Sequence, residues 1–148
     1  MKYYIAFILI VFCSCKNYSG KIISVHDGDS VTMLSKGKVY KIRLYEIDAA
    51  ELQQTYGIEA KEYLSNLVLN KTVEAKEIAI DKYHRHVCKL FLNGLYINEQ
   101  MVVSGNAWAF IPYCSKKLLN EQIETKEKHL GLWAYPAISP YNFRHHIY

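Results

Sequence analysis

The sequence predicts an α+β domain built around a small β-barrel. The chain has 148 residues, a length that suits one domain with a substantial core but not two. Hydrophobic residues make up 51% and charged residues 22%, which is typical of a folded chain and excludes a disordered one. Short stretches of strand character, with helical stretches inserted between them or after them, are the pattern of such a barrel.

The start of the chain is expected to lie outside this domain. Lys2 precedes ten apolar residues, 3–12, which as a helix would rise only about 15 Å, half of a bilayer core of about 30 Å. This segment is therefore too short to span a membrane and is typical of a secretory signal. We expect a signal over residues 1–14, a tether over residues 15–19 and the folded domain over residues 20–148.

The end of the signal resembles a bacterial lipobox. In this interpretation the chain is cleaved after Ser14 and Cys15 carries the lipid, although Phe12 replaces the usual leucine and Cys13 is a rival position. The protein is then expected to be exported and held in the cell envelope, close to the membrane, by its lipid anchor. An ordinary secreted protein and an uncleaved anchor are the alternatives.

Three strands are predicted before the first helix, over residues 21–25, 30–34 and 39–46. Residues 35–38 (SKGK) join the last two strands as a hairpin. Along the third strand, Ile42 and Leu44 share one face. Arg43 therefore points away from the core if that apolar face is buried.

The remaining elements follow from helical spacing, strand composition and turn residues. Helices are predicted over residues 56–70, 98–104 and 116–130. Strands are predicted over residues 72–80, 87–92, 95–97 and 107–111. In the last helix, Leu119, Ile123 and Leu130 fall on one side. Together these elements favour a five-stranded barrel of the OB type with about three helices.

Three polar clusters stand at the ends of these elements, at residues 27–30 (DGDS), 43–51 (RLYEIDAAE) and 81–85 (DKYHR). Each is ordinary by itself, since a solvated turn, a helix cap or a surface ion pair has the same composition. Taken together they describe a site. Asp29 and Asp48 are hard oxygen donors that suit Ca²⁺, with a carbonyl near Ala49 and waters completing the shell.

Arginine is scarce in this chain, with three against fifteen lysines. Arg43 and Arg85 both fall in the clusters, and each offers a planar fork that can grip a phosphate bidentately, which lysine cannot. Glu51 follows Asp48 closely enough to address a water beside a metal. A metal, two guanidinium groups and a carboxylate are what attack on a phosphodiester requires, because negative charge builds on the phosphate oxygens.

The order and spacing of these motifs resemble the staphylococcal nuclease family over about residues 20–144. The family pattern contains DGD[ST], RLxxIDxxE, YGxEA, DxYxR, [VI]N and AW, and this chain supplies them at residues 27–30, 43–51, 56–60, 81–85, 97–98 and 107–108. Two further tail segments are similar, GLW at residues 131–133 and the stretch from Pro140 to Arg144. The resemblance implies an OB-fold barrel and Ca²⁺-dependent hydrolysis of DNA and RNA.

By position in those motifs, the resemblance implies that Asp29 and Asp48 are metal ligands, with the Ala49 carbonyl as a third candidate. Asp27 becomes a carboxylate near the metal but outside its coordination shell. Glu51 becomes the general base, which either takes the proton or orients the water.

The resemblance also implies that Arg43 and Arg85 bind and polarise the scissile phosphate. Tyr83 and Tyr113 fall where family members have tyrosines around the nucleotide, and stacking or phosphate contact is plausible there. The alternative for each tyrosine is a half-buried residue of the barrel wall.

The chain departs from the family pattern at three positions. Ala50 replaces a proline that would stiffen the loop carrying Asp48 and Glu51, so placement of the base is expected to loosen. Glu46 replaces a residue that is commonly small and adds a carboxylate near the metal loop. His84 stands where the family has glycine, and it strains its turn if this position has φ > 0.

Cysteine and histidine have two other interpretations. His84, His86 and Cys88 alternate and would share a strand face as zinc ligands, but no fourth ligand is indicated. A disulfide between Cys88 and Cys114 suits an exported protein, although sequence cannot test its geometry. Cys88 keeps step with the core residues of its strand, so a small core side chain is the preferred interpretation.

The leading hypothesis is a Ca²⁺-dependent endonuclease acting on DNA, RNA or both, as a monomer without an obligate protein partner. A module that binds nucleic acid without cutting it is the alternative. An envelope protein whose charged loops serve stability alone is a third. The formal charge of +4 permits a polyanionic partner without requiring one.

Overall fold

The computed structural model describes residues 16–147. Its strands are β1 (Asn17–Val25), β2 (Ser30–Ser35), β3 (Lys38–Leu44), β4 (Ile47–Asp48), β5 (Thr72–Ile80), β6 (His86–Leu92), β7 (Leu95–Tyr96) and β8 (Trp108–Ala109). Its helices are α1 (Gly57–Val68), α2 (Ile97–Val103), α3 (Lys116–Glu127) and α4 (Pro140–Arg144), and a single 3-10 turn covers Gly131–Ala134.

The longer strands close into a barrel. Antiparallel pairing runs in the order β3, β2, β1, β5, β6. β3 also pairs in parallel with β6, with Ile42 opposite His86 and Leu44 opposite Cys88. This last pairing joins the two ends of the sheet and leaves the barrel without open edges. The predicted α+β class with a five-stranded OB-type barrel is confirmed.

The core fills the barrel and the space under α1. Ile22 and Leu90 of the barrel and Leu64 of α1 are fully buried, and each such side chain stabilises the fold by about 1.5–3 kcal/mol. α1 begins at Gly57, where an added Cβ would lie 1.9 Å from the carbonyl oxygen of Glu51. Glycine therefore lets the helix start directly against the loop that carries the predicted base.

The barrel begins earlier in the chain than expected. β1 starts at Asn17 rather than at residue 21, and its first residues pair with β5, with Asn17 opposite Lys76 and Ser19 opposite Glu74. The segment expected to be a tether, residues 15–19, is therefore strand from Asn17 onward.

The predicted export signal and its processing site are not part of this description. Residues 1–14 and Cys15 lie outside the described residues, so the signal and the lipid anchor stay predictions. The monomeric state stays a prediction as well. Among residues 16–147, no helix combines the length and the apolar character needed to cross a membrane.

A bend replaces the end of the strand predicted over residues 39–46. β3 ends at Leu44, and Glu46 has a φ of 68°, a left-handed conformation that an extended strand does not contain. The chain resumes as β4, where Asp48 pairs with Trp108 of β8. Arg43 lies on the face away from the core, as predicted, and the bend brings Asp48 back within reach of its guanidinium.

The predictions for the C-terminal helices need two corrections. α3 buries Leu118 and Thr125, whereas Ile123 and Leu130, two of the three apolar residues on the predicted side, are 48% and 43% exposed. α3 also ends at Glu127, so Leu130 lies beyond its last turn. α4 was not predicted, because five residues are too few to show a helical period.

The two cysteines of the described chain are free thiols. Cys88 is buried in the core, as preferred from the sequence, and burial raises the pKa of its thiol to about 12. His86, one of the candidate zinc ligands, pairs with Glu77, with Nδ1 and Oε2 2.6 Å apart. Within residues 16–147, no three His, Cys, Asp or Glu side chains form a group that would hold a metal. Because both cysteines are free thiols, the interpretation of a Cys88–Cys114 disulfide is wrong. The structure also gives no support to the zinc interpretation.

Candidate active site

One cleft of about 710 Å³ gathers most of the predicted site. Eight predicted residues line it: Asp27, Asp29, Arg43, Asp48, Ala49, Glu51, Tyr83 and Arg85. Four residues that were not predicted for the site line it as well: Lys82, Phe110, Arg144 and His145. The cleft thus joins the turn before β2, strand β3, the loop after β4 and the turn between β5 and β6.

The turn before β2 places Asp29. Its backbone N–H donates to Asp27 Oδ1 at 2.9 Å, so the side chain of Asp27 shapes the turn. At Gly28, an added Cβ would lie 2.6 Å from the Cβ of Ala49 and 2.8 Å from the Cβ of Ala60. This close approach seats the turn directly on α1 and on the loop that follows β4.

Arg43 joins the two predicted metal ligands. Its Nε lies 3.1 Å from Asp29 Oδ1, and its Nη2 donates to Asp48 Oδ1 at 2.9 Å. Its Nη1 donates to the carbonyl oxygens of Leu44 at 2.6 Å and Ile47 at 2.8 Å. Most N–H groups of this guanidinium are thus bound within the protein. Arg43 can therefore attract a phosphate through its charge, but it has few free N–H groups for a bidentate contact.

Burial sets the electrostatics of the two aspartates. Both are buried, and burial raises the pKa of Asp29 to about 7, although the Arg43 guanidinium opposes that rise. The neighbouring charges of Asp27 and Asp48 also contribute to this rise in the pKa of Asp29, and the N–H of Ala49, which donates to Asp29 Oδ2 at 2.7 Å, opposes it. A buried acid of this kind is stabilised as a carboxylate by added positive charge.

The donors at this point fit a hard divalent cation. Asp29 and Asp48 offer carboxylate oxygens, the ligands that Ca²⁺ and Mg²⁺ prefer. Two side chains are fewer than the six to eight oxygens that Ca²⁺ takes, so backbone carbonyls, waters and substrate oxygens would complete the shell. At Ala49 the structure shows the N–H bound to Asp29, and a role for its carbonyl stays a prediction.

Glu51 stands at the edge of the cleft, with its side chain 35% exposed. Its backbone N–H donates to Gln54 Oε1 at 3.1 Å, and Gln54 Nε2 donates in turn to the carbonyl of Ile138. Ala50 is buried beside it. These contacts hold the loop and oppose the loosening expected from the missing proline.

The turn between β5 and β6 places Arg85. Asp81 Oδ1 accepts the N–H groups of Tyr83 and Arg85, both at 2.9 Å, and Asp81 Oδ2 accepts Arg85 Nε at 2.7 Å. Burial favours a higher pKa for Asp81, but these donors outweigh it and lower the pKa. His84 has a φ of 60°, so the condition under which a histidine strains this turn is met.

The two tyrosines of the site are exposed. Tyr83 is 65% and Tyr113 is 61% exposed, so the alternative of a half-buried barrel residue is wrong for both. Tyr83 lies in the main cleft with Arg85 over its ring, 5.5 Å from the centroid. Tyr113 lies instead in an adjacent groove of about 200 Å³, and Arg43 and Arg85 line both spaces.

The additional carboxylate of Glu46 is directed away from the aspartates. It is buried and accepts a hydrogen bond from the hydroxyl of Tyr96 at 3.0 Å. Its other oxygen lies 3.5 Å from Lys89 Nζ. Glu46 lines the groove of Tyr113 and not the main cleft, so its charge is compensated by partners of its own.

Arg144 is the functional candidate that the sequence placed only in a tail motif. Its Nη2 donates to Asp48 Oδ2 at 2.8 Å, and its Nη1 donates to Glu51 Oε1 at 2.8 Å. Burial favours a lower pKa for Arg144, but these hydrogen bonds outweigh it and raise the pKa above its ordinary value. The scarcity of arginine is the signal in the sequence that could have identified this residue as a site candidate.

The closed barrel of the OB type, with aspartates and arginines that meet in a cleft at its surface, defines the class of protein to which this chain belongs. A family model described as "Staphylococcal nuclease homologue" matches residues 41–135, which is more than half of the chain. The chain belongs to the staphylococcal nuclease family. The matched range includes Arg43, Asp48, Glu51 and Arg85 and begins after Asp29.

Similar proteins come from several bacteria. An "Uncharacterized endonuclease" of Haemophilus influenzae is 36% identical, over 86% of this chain and 73% of its own length. An "Uncharacterized endonuclease" of Escherichia coli O157:H7 is 31% identical, over 98% of this chain and 99% of its own length. A "Micrococcal nuclease" of Shigella flexneri is 29% identical, over 86% of this chain and 81% of its own length. Family membership supports a nuclease function for this chain.

Proposed function

We propose that this chain is a calcium-dependent endonuclease that cuts phosphodiester bonds in DNA, RNA or both. The observation that carries the proposal is the convergence of Asp29, Asp48, Glu51 and Arg85 in one cleft. Asp29 and Asp48 are buried side chains of like charge, a costly arrangement that is typical of a functional site. Family membership supports the reaction class, and the arrangement of the cleft supports the finer assignment of roles.

Asp29 and Asp48 would hold the cation. When bound, it supplies positive charge beside the phosphate oxygens, where negative charge builds during attack. The choice of Ca²⁺ comes from the family resemblance, and the oxygen-only donor set supports it.

The arginines address the phosphate in different ways. Arg85 is fixed at Nε by Asp81, which orients its guanidinium at the cleft. We assign it the direct contact with the scissile phosphate, because a planar guanidinium matches phosphate oxygens. Arg43 is held between Asp29 and Asp48, so its main contribution is to fix these carboxylates and to place one positive charge between them.

Glu51 is assigned to the attacking water. Its partly exposed carboxylate accepts the water's proton or orients the water towards phosphorus, a contribution of roughly 10²–10⁴ in rate. The new bond joins the water oxygen to phosphorus, and the bond to the leaving sugar oxygen breaks. The leaving sugar oxygen takes up a proton from solvent, so the products are a phosphate monoester and a free sugar hydroxyl. Tyr83 and Tyr113 are exposed enough to stack on the flanking bases.

A digestion assay with a chelator control tests this function. The purified full-length chain is incubated with single-stranded DNA, duplex DNA and RNA in CaCl₂, and matched samples contain excess EGTA. We expect internal cleavage in CaCl₂, none in EGTA, and recovery when CaCl₂ is added back. Glu51→Gln and Arg85→Ala are expected to slow cleavage by roughly 100-fold or more.

Lys128→Ala is the matched control, because Lys128 is exposed at the end of α3 and does not line the cleft. It should cut at the wild-type rate. Cleavage that persists in EGTA and in both cleft variants contradicts the proposal. Nucleic-acid binding that survives EGTA, with no products, favours the alternative of a binding module.

A further inference from the structure

The C-terminal helix reaches back into the cleft. Arg144, at the end of α4, lies 96 residues from Asp48 and 93 residues from Glu51 in the chain, yet its guanidinium bridges the two carboxylates. Nη2 donates to Asp48 Oδ2 at 2.8 Å, and Nη1 donates to Glu51 Oε1 at 2.8 Å and to Asp48 Oδ1 at 3.3 Å. One side chain therefore connects a predicted metal ligand to the predicted base.

The segment that carries Arg144 is anchored to the same loop at a second point. Gln54 accepts the backbone N–H of Glu51 and donates to the carbonyl of Ile138. Just after Ile138, Ser139 caps α4 by accepting the N–H of Asn142 at 3.2 Å, and α4 begins at the buried Pro140. These contacts hold α4 at the rim of the cleft, and they therefore fix the position from which Arg144 reaches Asp48 and Glu51.

The bridge has two opposite consequences for the site. It fixes the carboxylate of Glu51, whose own side chain is partly exposed and whose loop has Ala50 in place of a stiffening proline. It also occupies both oxygens of Asp48, which are shared between Arg144 and Arg43. A cation coordinated by Asp48 must share that carboxylate with a guanidinium, and the like charge weakens cation binding.

We propose that Arg144 is a positioning residue of this site, which orients Glu51 through Nη1 and competes with the divalent cation for Asp48 through Nη2. The inference rests on the proposed function. It distinguishes Arg144 from a purely structural residue, because a structural residue supports cation binding and turnover together. Arg144 instead favours turnover and disfavours cation binding.

The test compares wild type with Arg144→Met, which removes all donors but keeps much of the aliphatic chain. Ca²⁺ affinity is measured by calorimetric titration without nucleic acid, and kcat and KM are measured with an oligonucleotide at saturating Ca²⁺. We expect Arg144→Met to bind Ca²⁺ roughly 3- to 30-fold more tightly. Its kcat is expected to fall roughly 10- to 100-fold, with KM changed much less, because the base is no longer held in place.

Arg144→Lys serves as the second variant and keeps the test decisive if the methionine variant does not fold. Lysine retains the charge but cannot bridge two carboxylates with a planar fork. We expect it to bind Ca²⁺ within about threefold of wild type and still to lose at least about tenfold in kcat. Lys128→Ala should match wild type in both measurements.

A third readout is stability without metal. In EGTA, Arg144→Met leaves Asp48 and Glu51 without their bridge, so its unfolding midpoint is expected to be lower than that of wild type. Added Ca²⁺ should reduce the difference in unfolding midpoint between wild type and variant, because the cation replaces part of the lost positive charge. A purely structural role predicts a gap that Ca²⁺ does not change.

Two outcomes overturn the inference alone: wild type binds Ca²⁺ and cuts, while Arg144→Met either keeps the wild-type kcat or binds Ca²⁺ no more tightly than wild type. A wild-type chain that neither binds Ca²⁺ nor cuts nucleic acid contradicts the proposed function as well. The two failures are therefore distinguishable in one set of experiments.

Discussion

In the turn between β5 and β6, one carboxylate both builds the turn and orients its arginine. Asp81 accepts two backbone N–H groups of the turn with Oδ1 and the Nε of Arg85 with Oδ2. The turn closes through His84, whose left-handed backbone would suit glycine better. The strained residue thus lies next to Arg85 at the cleft. Backbone strain of this kind is common in functional sites.

Arg85→Lys is therefore expected to lose nearly as much activity as Arg85→Ala. Lysine keeps the positive charge, but it lacks the Nε that bonds Asp81 and the planar pair of amino groups. We expect kcat to fall roughly 10²–10³-fold in both variants, measured with a fluorescent oligonucleotide at saturating Ca²⁺. A lysine variant with the wild-type kcat would show that charge alone suffices and would contradict this role.

Sequence motifs were sufficient to predict that Asp29, Arg43 and Arg85 belong to one site, because their polar clusters occur in the order and spacing of a known family. They did not reveal what Arg43 does with its donors, since the carbonyls it binds are set by the bend at Glu46. The contacts of Arg144 were equally hidden, because no strand register connects the tail to the loop after β4.

Strands β5 and β6 carry a paired acid and base on the outer surface of the barrel. Glu77 of β5 accepts from His86 of β6, with the paired atoms 2.6 Å apart, and from the hydroxyl of Tyr18 of β1 at 2.9 Å. Burial favours a higher pKa for Glu77, but these hydrogen bonds outweigh it and lower the pKa below its ordinary value. Three strands of the barrel wall are thus joined through one carboxylate.

Glu77→Gln is expected to destabilise the protein in a pH-dependent way. A folded-state pKa below the unfolded value gives stability that is present above about pH 4.5 and is lost as the pH falls through the folded pKa. We expect a loss of about 1–2 kcal/mol in the free energy of unfolding at pH 6, measured by urea titration, and a smaller loss at pH 3. An equal loss at both values would contradict the assigned pKa direction.

The strands and helices were predicted best where a period extends over several residues. Alternation indicated β3, and helical spacing indicated α1, in which Ala60, Leu64 and Val68 are buried. Prediction failed where one residue's conformation decides the path, as at Glu46, and where an element is too short for a period, as in α4. On α3, the buried side passes through Leu118 and Thr125 because the helix packs against α2 and β8.

The main cleft holds many charged side chains but has no large positive net charge. Within residues 16–147, the formal charges that line the main cleft cancel, with four basic and four acidic side chains. The basic ones are Arg43, Lys82, Arg85 and Arg144, and the acidic ones are Asp27, Asp29, Asp48 and Glu51. A bound divalent cation changes this balance from neutral to positive, so the cation and the polyanion should bind cooperatively.

Nucleic-acid affinity is therefore expected to depend on Ca²⁺. For a cleavage-resistant phosphorothioate oligonucleotide, measured by fluorescence anisotropy, we expect affinity to rise roughly tenfold or more when EGTA is replaced by CaCl₂. In CaCl₂, a plot of the logarithm of the association constant against the logarithm of the salt concentration should have a slope of about −1.4 to −2.8 for a single strand, as two to four phosphate contacts predict. Equal affinity in EGTA and CaCl₂ would contradict this coupling.

Comparing cation occupancy with cleavage tests the central claim most directly. Ca²⁺ binding is titrated calorimetrically in the presence of the phosphorothioate oligonucleotide, and the cleavage rate of the ordinary oligonucleotide is measured at the same free Ca²⁺. The account predicts that occupancy and rate rise over the same concentration range, and that Asp48→Asn shifts both to higher Ca²⁺. A cleavage rate that stays unchanged in excess EGTA, or a site that saturates without any cleavage, would contradict it.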